Sequence, residues 1–411
     1  MTTRVGPCRS CGTELRHSVV DLGRQPLANS YLEPDQLHEP EPVYPLHPYV
    51  CDTCWLVQLQ EFASPGEIFS EYAYFSSYSD SWLEHARRYA EEMIDRLDLG
   101  PDSLVVEVAS NDGYLLRNFV ARGIPVLGIE PAKNVAEHAI SAGVPTEVVF
   151  LGRETAGELR DRGVAGDLVV GNNVLAHVPD LNDFVGGLAT LLAPTGTLTM
   201  EFPHLLRLVQ EHQFDTIYHE HYSYLSLAAV QHVFARHGLT VEDVEEITTH
   251  GGSLRIFAGH TARNGAVRES VRRVLDLERE AKLFDVRTYE RLGQDANAVR
   301  DDLLEFLRQA SRDGRRVVGY GAPAKGNTLL NYCGVTSELL SYTVDRSPHK
   351  QGRYLPGSHV PIHGPEHLLA DKPDFVLILP WNLKDEIVEQ LSAVHDWGGR
   401  FVVPIPDVRV V

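Results

Sequence analysis

Within five residues, Tyr218-His219-Glu220-His221-Tyr222, the chain places two imidazoles, one carboxylate and two phenols. An imidazole with an ordinary pKa near 6.5 can take up a proton at neutral pH. The H-x-H spacing with Glu220 could equally clip a metal ion, because neutral imidazoles and carboxylates also bind zinc. In an extended strand Tyr218, Glu220 and Tyr222 share one face, and His219 and His221 the other. In a loop or helix start most of these groups converge on one pocket. Both geometries are open to this sequence.

A second cluster is sulfur. Of five cysteines, four form two C-x-x-C pairs, Cys8 with Cys11 and Cys51 with Cys54, and Cys333 stands alone. Paired knuckles of this kind point to a tetrahedral four-thiolate zinc site. The 39 residues between them exceed a usual zinc-ribbon spacing, so a small sheet must fill the gap. A closed four-cysteine site has no open position for chemistry, so the zinc is expected to be structural.

A third cluster caps a strand. The apolar run LVVEV leads into Ala109, Ser110, Asn111, Asp112 and Gly113, with a helix pattern beyond. Glu130 ends the next strand-like run, VLGIE, 17 residues after Gly113, and Asn172 and Asn173 end DLVVGNN. A carboxylate at the end of the second strand can accept hydrogen bonds from both hydroxyls of an adenosine ribose. A pyrophosphate-containing dinucleotide favours repeated glycines in the first turn, and this turn has only Gly113. S-Adenosylmethionine carries no pyrophosphate and suits the wider, more polar turn.

These clusters need elements to hold them. Short strands (HSVVDL, YPLHPYV, WLVQLQ) frame the cysteines, and an aromatic segment, EYAYFSSYSDSW, precedes a helix over about 81–98. Strands then alternate with helices from 104, which indicates βαβ units and a parallel sheet. A strand-like LRIFAGH and one long charged helix, about 263–310, lead to a second such series, RRVVGYGA, SYTVD, FVLIL and RFVVPIP. The fold class expected is α/β: a zinc-binding module over 1–68, a central Rossmann-like domain over 69–262 and a C-terminal Rossmann-like domain over 263–411. In the last, GYGAPAKGNT ends a strand and opens a helix, so its amides and Lys325 could hold a phosphate at the helix N-terminus. It lacks the register of an ATPase loop. Asp345-Arg346 ends the following strand, and HGGSLR, His250 to Arg255, is expected to line the cleft.

Composition bounds the partners. The 411 residues include 37 basic and 57 acidic side chains, a net charge of −20, which disfavours nucleic acid. No apolar run reaches the roughly 20 residues of a membrane span. The first residues lack a secretory apolar stretch, so a cytoplasmic, monomeric protein is expected.

The double C-x-x-C module, EVASNDGYLL, VLGIEPAKN, NNVLAHVPD, EFPHL, YHEHYSYLS, HGGSLR and GYGAPAKGNTLLNY occur in that order. Together, and over essentially the full chain, they resemble the three-domain, zinc-containing sugar C-methyltransferases of antibiotic deoxysugar biosynthesis. The resemblance implies methyl transfer from S-adenosylmethionine to a carbon beside the C-4 ketone of a dTDP-linked 4-keto-6-deoxyhexose, C-3 or C-5. It maps His221 to the base, Glu220 and Tyr218 to groups that orient or polarise the sugar, and His177 and Tyr72 to further active-site positions. Tyr72, Tyr218, Tyr222, Arg255, Tyr320, Lys325, Asn327 and Arg346 are the substrate-binding expectations. Rival readings are a nicotinamide-dependent sugar-nucleotide oxidoreductase and a non-catalytic nucleotide-sugar binding protein, for which YHEHY would be surplus.

Overall fold

Where β-branched residues run together they form the buried strands of a central sheet, seen in a computed structural model that describes residues 5–62, 77 and 80–411. VVEV over Val105–Val108 is buried at every position, as a strand covered on both faces must be. Its sheet has seven strands in the order Leu239–Ile247, Ser253–His260, Leu192–Pro203, Gly166–Asn172, Val105–Val108, Val126–Ile129 and Thr146–Glu147. Six of these run in one direction, and Ser253–His260 alone runs antiparallel, between Leu192–Pro203 and Leu239–Ile247. Chain order reverses between Val105–Val108 and Gly166–Asn172, so the strand-end crevice opens there. The helix Asp80–Leu97 covers one face through Ala86, Tyr89, Ala90 and Met93, all buried and spaced at helical intervals.

The long charged helix expected over about 263–310 is two helices, Glu269–Glu280 and Val286–Arg312. Lys282 adopts a left-handed φ of 58°, and the Asp285 side chain caps the second helix by accepting from the Arg287 amide at 3.0 Å. The C-terminal sheet runs Ile362–His363, Thr343–Val344, Val317–Tyr320, Phe375–Ile378, Arg400–Val403, Arg409–Val410, the last pair antiparallel.

The cysteine module is less separate than its sequence suggests. Its small sheet is His17–Ser18, Tyr49–Val50, Val57–Gln58 and then Ser223–Tyr224, two residues that directly follow YHEHY. Ser223 pairs with Gln58 and Tyr224 with Val57. The apolar interior continues across the boundary: Val19, Val50, Val57 and Leu59 share one core with Phe214, Tyr289, Leu303, Leu329 and Leu377. Among the described residues no helix is long and apolar enough to cross a membrane.

Candidate functional site

The cysteine knuckles are built alike. Gly12 N–H returns to the Cys8 carbonyl and Trp55 N–H to the Cys51 carbonyl, each at 2.9 Å, with left-handed φ of 82° and 61°. The ligand atoms of Cys8, Cys11, Cys51 and Cys54 lie within 4.8 Å of one another, and the Cys8–Cys54 and Cys11–Cys51 sulfurs are 3.5 Å apart. Sulfurs held at about 2.3 Å around a tetrahedral zinc stand about 3.8 Å apart, so the cage fits that ion. Gln58 Nε2 donates to Cys8 Sγ at 3.2 Å, and its Oε1 accepts the Arg9 amide at 2.9 Å. Gln58 therefore ties the sulfur cage to the strand that pairs with Ser223.

The strand-end turn is strained, as ligand-gripping turns often are: Ala109, Asn111 and Gly113 have φ of 55°, 49° and 77°, and Asn173 has 56°. Glu130 is buried and accepts the amides of Asn111 at 3.0 Å and Ala132 at 2.8 Å. Each oxygen keeps a further lone pair for a ribose hydroxyl. Burial pushes its carboxyl above the ordinary range, and the two amides oppose that shift. Buried polar atoms of Asp112 (Oδ1), Asn172 (Oδ1 and Nδ2) and Asn173 (Oδ1) find no partner among the described residues, the pattern expected of atoms reserved for a polar ligand. Ser110 Oγ, also without a partner among the described residues, packs where a side chain on Gly128 would fall, so it faces the second strand. These residues fit S-adenosylmethionine: Glu130 would hold the ribose, and Asp112, Asn172 and Asn173 would meet its polar ends.

YHEHY is a turn, neither a strand nor a helix. The His221 amide bonds the Tyr218 carbonyl at 2.9 Å, and the side chains diverge. His219 is buried against the zinc module, on the Pro45 carbonyl at 3.2 Å and edge-on to Tyr44. Tyr222 is buried beneath the Arg9 guanidinium, which lies 5.4 Å from its ring centre, so it serves that same interface instead of the cleft expected for it. His221 is the hub. Its ring centre lies 3.9 Å from Tyr218, 4.8 Å from His177 and 6.2 Å from Tyr224. Its Nδ1 lies 2.9 Å from the Thr216 carbonyl. A carbonyl only accepts, so Nδ1 carries the proton and Nε2 keeps its lone pair. Burial holds the His221 imidazole well below 6.5, with His177 adding to the effect, and burial likewise depresses His177 to about 4. Both rings are neutral at neutral pH. Glu220 is buried, accepts Asn29 Nδ2 on Oε1 at 2.6 Å, and is pushed up to about 7 by desolvation.

Other expected residues lie elsewhere. Tyr72 is outside the described residues. Arg255 does not reach into the cleft. It is buried in an ion cluster, donating to Glu201 at 2.7 Å and to Glu92 and Glu245 at 3.2 Å each. Glu201 also takes His85 Nε2 at 2.9 Å, so Arg255 holds the helix Asp80–Leu97 against the sheet. Asn327 donates to the Ala28 carbonyl at 2.6 Å, which fastens the zinc module to the third domain. Tyr320 ends its strand nearly buried, and Arg346 is exposed. Lys325 stands over the Trp381 ring, 4.1 Å from its centre, and bonds Asn382; burial lowers it to about 8, opposed by Asp215. The amide of Ala322 in the glycine-rich loop is taken by Asp345 at 2.7 Å.

Two residues, Glu107 and Asn29, were missed, and a third, His250, was expected at the cleft only as part of HGGSLR. Glu107, in the middle of VVEV, is buried and raised well above the carboxylate range by desolvation and then by Glu130; its position in an apolar strand was a signal. His250 has φ 55° and stands 5.5 Å from the Trp82 ring; burial and Lys325 depress it to about 4. Asn29 carries no spacing that could have linked it to Glu220.

Family models match along the chain: a zinc binding domain over residues 8–69, a methyltransferase domain over 82–244 and a C-methyltransferase C-terminal domain over 248–406. The C-methyltransferase NovU of Streptomyces niveus is 38% identical over 407 residues, covering 99% of this chain and 97% of that protein. A ubiquinone biosynthesis O-methyltransferase of Rhodopseudomonas palustris is 26% identical over 153 residues, 32% of this chain and 60% of its own. A solved magnesium protoporphyrin IX methyltransferase from Synechocystis is 16% identical with a TM-score of 0.35, over 43% of this chain and 82% of that one. At that score the likeness is coarse and nothing further rests on it. With the sulfur cage and the strand-end site as described, the chain belongs to the zinc-containing, S-adenosylmethionine-dependent C-methyltransferases.

Proposed function

We propose that this enzyme methylates C-3 of a dTDP-linked 4-keto-6-deoxyhexose. The observation that carries the reading is His221: a neutral imidazole whose Nδ1 is committed to Thr216, leaving Nε2 as a base beside Tyr218 and His177. A carbon next to a ketone can be methylated only after its proton leaves. Nε2 accepts that proton, and the C–H electron pair moves to make an enolate at the C-4 oxygen. Tyr218 is close enough to the base to donate a hydrogen bond to that developing charge. S-Adenosylmethionine held by Glu130, Asp112, Asn172 and Asn173 would supply an electrophilic methyl on sulfonium, the sulfur keeping the C–S electron pair as the new C–C bond forms. The imidazolium then returns its proton to solvent. Glu220, as a carboxylate, accepts a sugar hydroxyl and fixes the ring over His221. Lys325, on the first turn of the helix Ala324–Cys333, supplies the cation for the pyrophosphate.

The sugar class rests on the resemblance across the whole chain, and the base supports the reaction type. A panel of dTDP-4-keto sugars, with the methyl located in each product by NMR, tests both. Methylation at C-3 is expected; a methyl at C-5, or turnover only on substrates without a sugar, would overturn the assignment.

A further inference from the structure

The carboxylate of Glu220 has a partner from an unexpected part of the chain. Asn29 belongs to the zinc module, 191 residues away, and donates Nδ2 to Glu220 Oε1 at 2.6 Å. It engages one oxygen, and among the described residues Oε2 keeps no hydrogen bond, which leaves it for a substrate hydroxyl. Asn29 is exposed whereas Glu220 is buried, so packing does not hold the amide there. Its neighbours do. The Tyr31 hydroxyl lies 3.2 Å from Asn29 Oδ1 and donates to the Ala322 carbonyl at 2.6 Å, while Asn327 holds the Ala28 carbonyl. Residues 28–31 thus form a bracket between the YHEHY turn and the glycine-rich loop of the third domain.

We propose that Asn29 is a positioning residue for methyl transfer, supplied by the zinc module to aim Glu220 and favour its carboxylate form. The inference rests on the proposed role of Glu220. An amide N–H stabilises the charged carboxylate, so losing it raises the pKa of Glu220 further above its buried value. Among the described residues, few groups face this carboxylate. They are Asn29 and Tyr31 on the bracket and His177, whose ring meets the Glu220 backbone carbonyl; Asp345 and Lys350 lie beyond Tyr31. Desolvation raises this carboxyl, and the Asn29 hydrogen bond is what opposes it.

The test is the pH profile of kcat/KM for the full-length, zinc-loaded enzyme. The wild type should lose activity on the acid side near pH 7, as Glu220 takes up a proton. In Asn29→Ala that limb should move upward by at least about 0.5 unit and kcat should fall about tenfold. Zinc content and affinity for S-adenosylmethionine should not change, because the side chain is exposed and its bonds go to Glu220 and Tyr31, not to the cysteines or the strand-end turn. Asn29→Gln, which keeps an amide donor, should return the limb toward its original position. A limb and kcat in Asn29→Ala equal to wild type would overturn the proposal. Glu220→Gln separates the two claims. If it abolishes the limb while Asn29→Ala leaves it in place, only the Asn29 inference fails. If the limb persists in Glu220→Gln, the role of Glu220 fails and Asn29 with it.

Discussion

Replacing His221 by Asn removes the base while sparing the geometry around it. The Asn Nδ2 group can still donate to the Thr216 carbonyl, which His221 Nδ1 reaches at 2.9 Å, so the turn Tyr218–His221 should persist. What disappears is the Nε2 lone pair. A positioned general base contributes about 10²–10⁴-fold, equivalent to about 2.7–5.4 kcal/mol of barrier. Turnover should therefore fall by that factor while both ligands bind as before. A sharper readout uses deuterium oxide with S-adenosylhomocysteine in place of the methyl donor. Wild type should wash solvent deuterium into the carbon beside the ketone, His221→Asn should not, and Glu220→Gln should retain slow exchange. Because burial holds the His221 imidazole well below 6.5, it stays unprotonated across the neutral range, and exchange should persist as pH falls past 6.5 in Glu220→Gln. Near-normal turnover in His221→Asn, or undiminished exchange, would remove His221 from the mechanism and make Tyr218 and Tyr72 the next candidates.

Glu130→Gln keeps one acceptor for the Asn111 or Ala132 amide and should weaken S-adenosylmethionine by about 1–3 kcal/mol in calorimetry, leaving sugar-nucleotide binding unaltered. Equal affinity would move the ribose contact elsewhere. Metal analysis should find a single zinc per chain, and Cys54→Ser should lose it together with the thermal stability of the module, since metal binding is part of its folding free energy; properly folded wild type without zinc would refute the cage. Lys325 is depressed to about 8, so its positive charge is present below that pH and lost above it. dTDP affinity should fall as pH rises through 8, and Lys325→Ala should be weaker throughout and flat over the same range; a flat wild-type profile would exclude the lysine.

Much of the scaffold was legible because its signals are local. VVEV followed by SNDG, with Glu130 at the end of the next strand, marks a strand-end adenosine site through neighbours in sequence. The cysteine knuckles announce themselves by spacing. The edge strand Leu239–Ile247 was missed because LTVEDVEEI carries four acids, and its strand identity comes from pairing with Ser253–His260. YHEHY showed which groups are present but not their directions, which depend on the zinc module: Pro45 takes His219 and Asn29 takes Glu220. Arg255 looked like a cleft cation because its three carboxylate partners, Glu92, Glu201 and Glu245, lie on three different elements.

The insertion of Ser223–Tyr224 into the small zinc-module sheet also sets an order of events during synthesis. The first three strands and all four cysteines emerge early, but Glu220 follows Asn29 by 191 residues and the fourth strand, Ser223–Tyr224, comes just after it. At about 5–20 residues per second the ribosome needs on the order of 10–40 s to deliver them. During that interval Val57–Gln58 is an unpaired edge, and the apolar residues of the module have no core to join. Early zinc capture would hold the knuckles in shape through the wait. The metal then acts as a chaperone in time as much as a brace in space: it keeps a nascent edge in register until the catalytic turn arrives to close it.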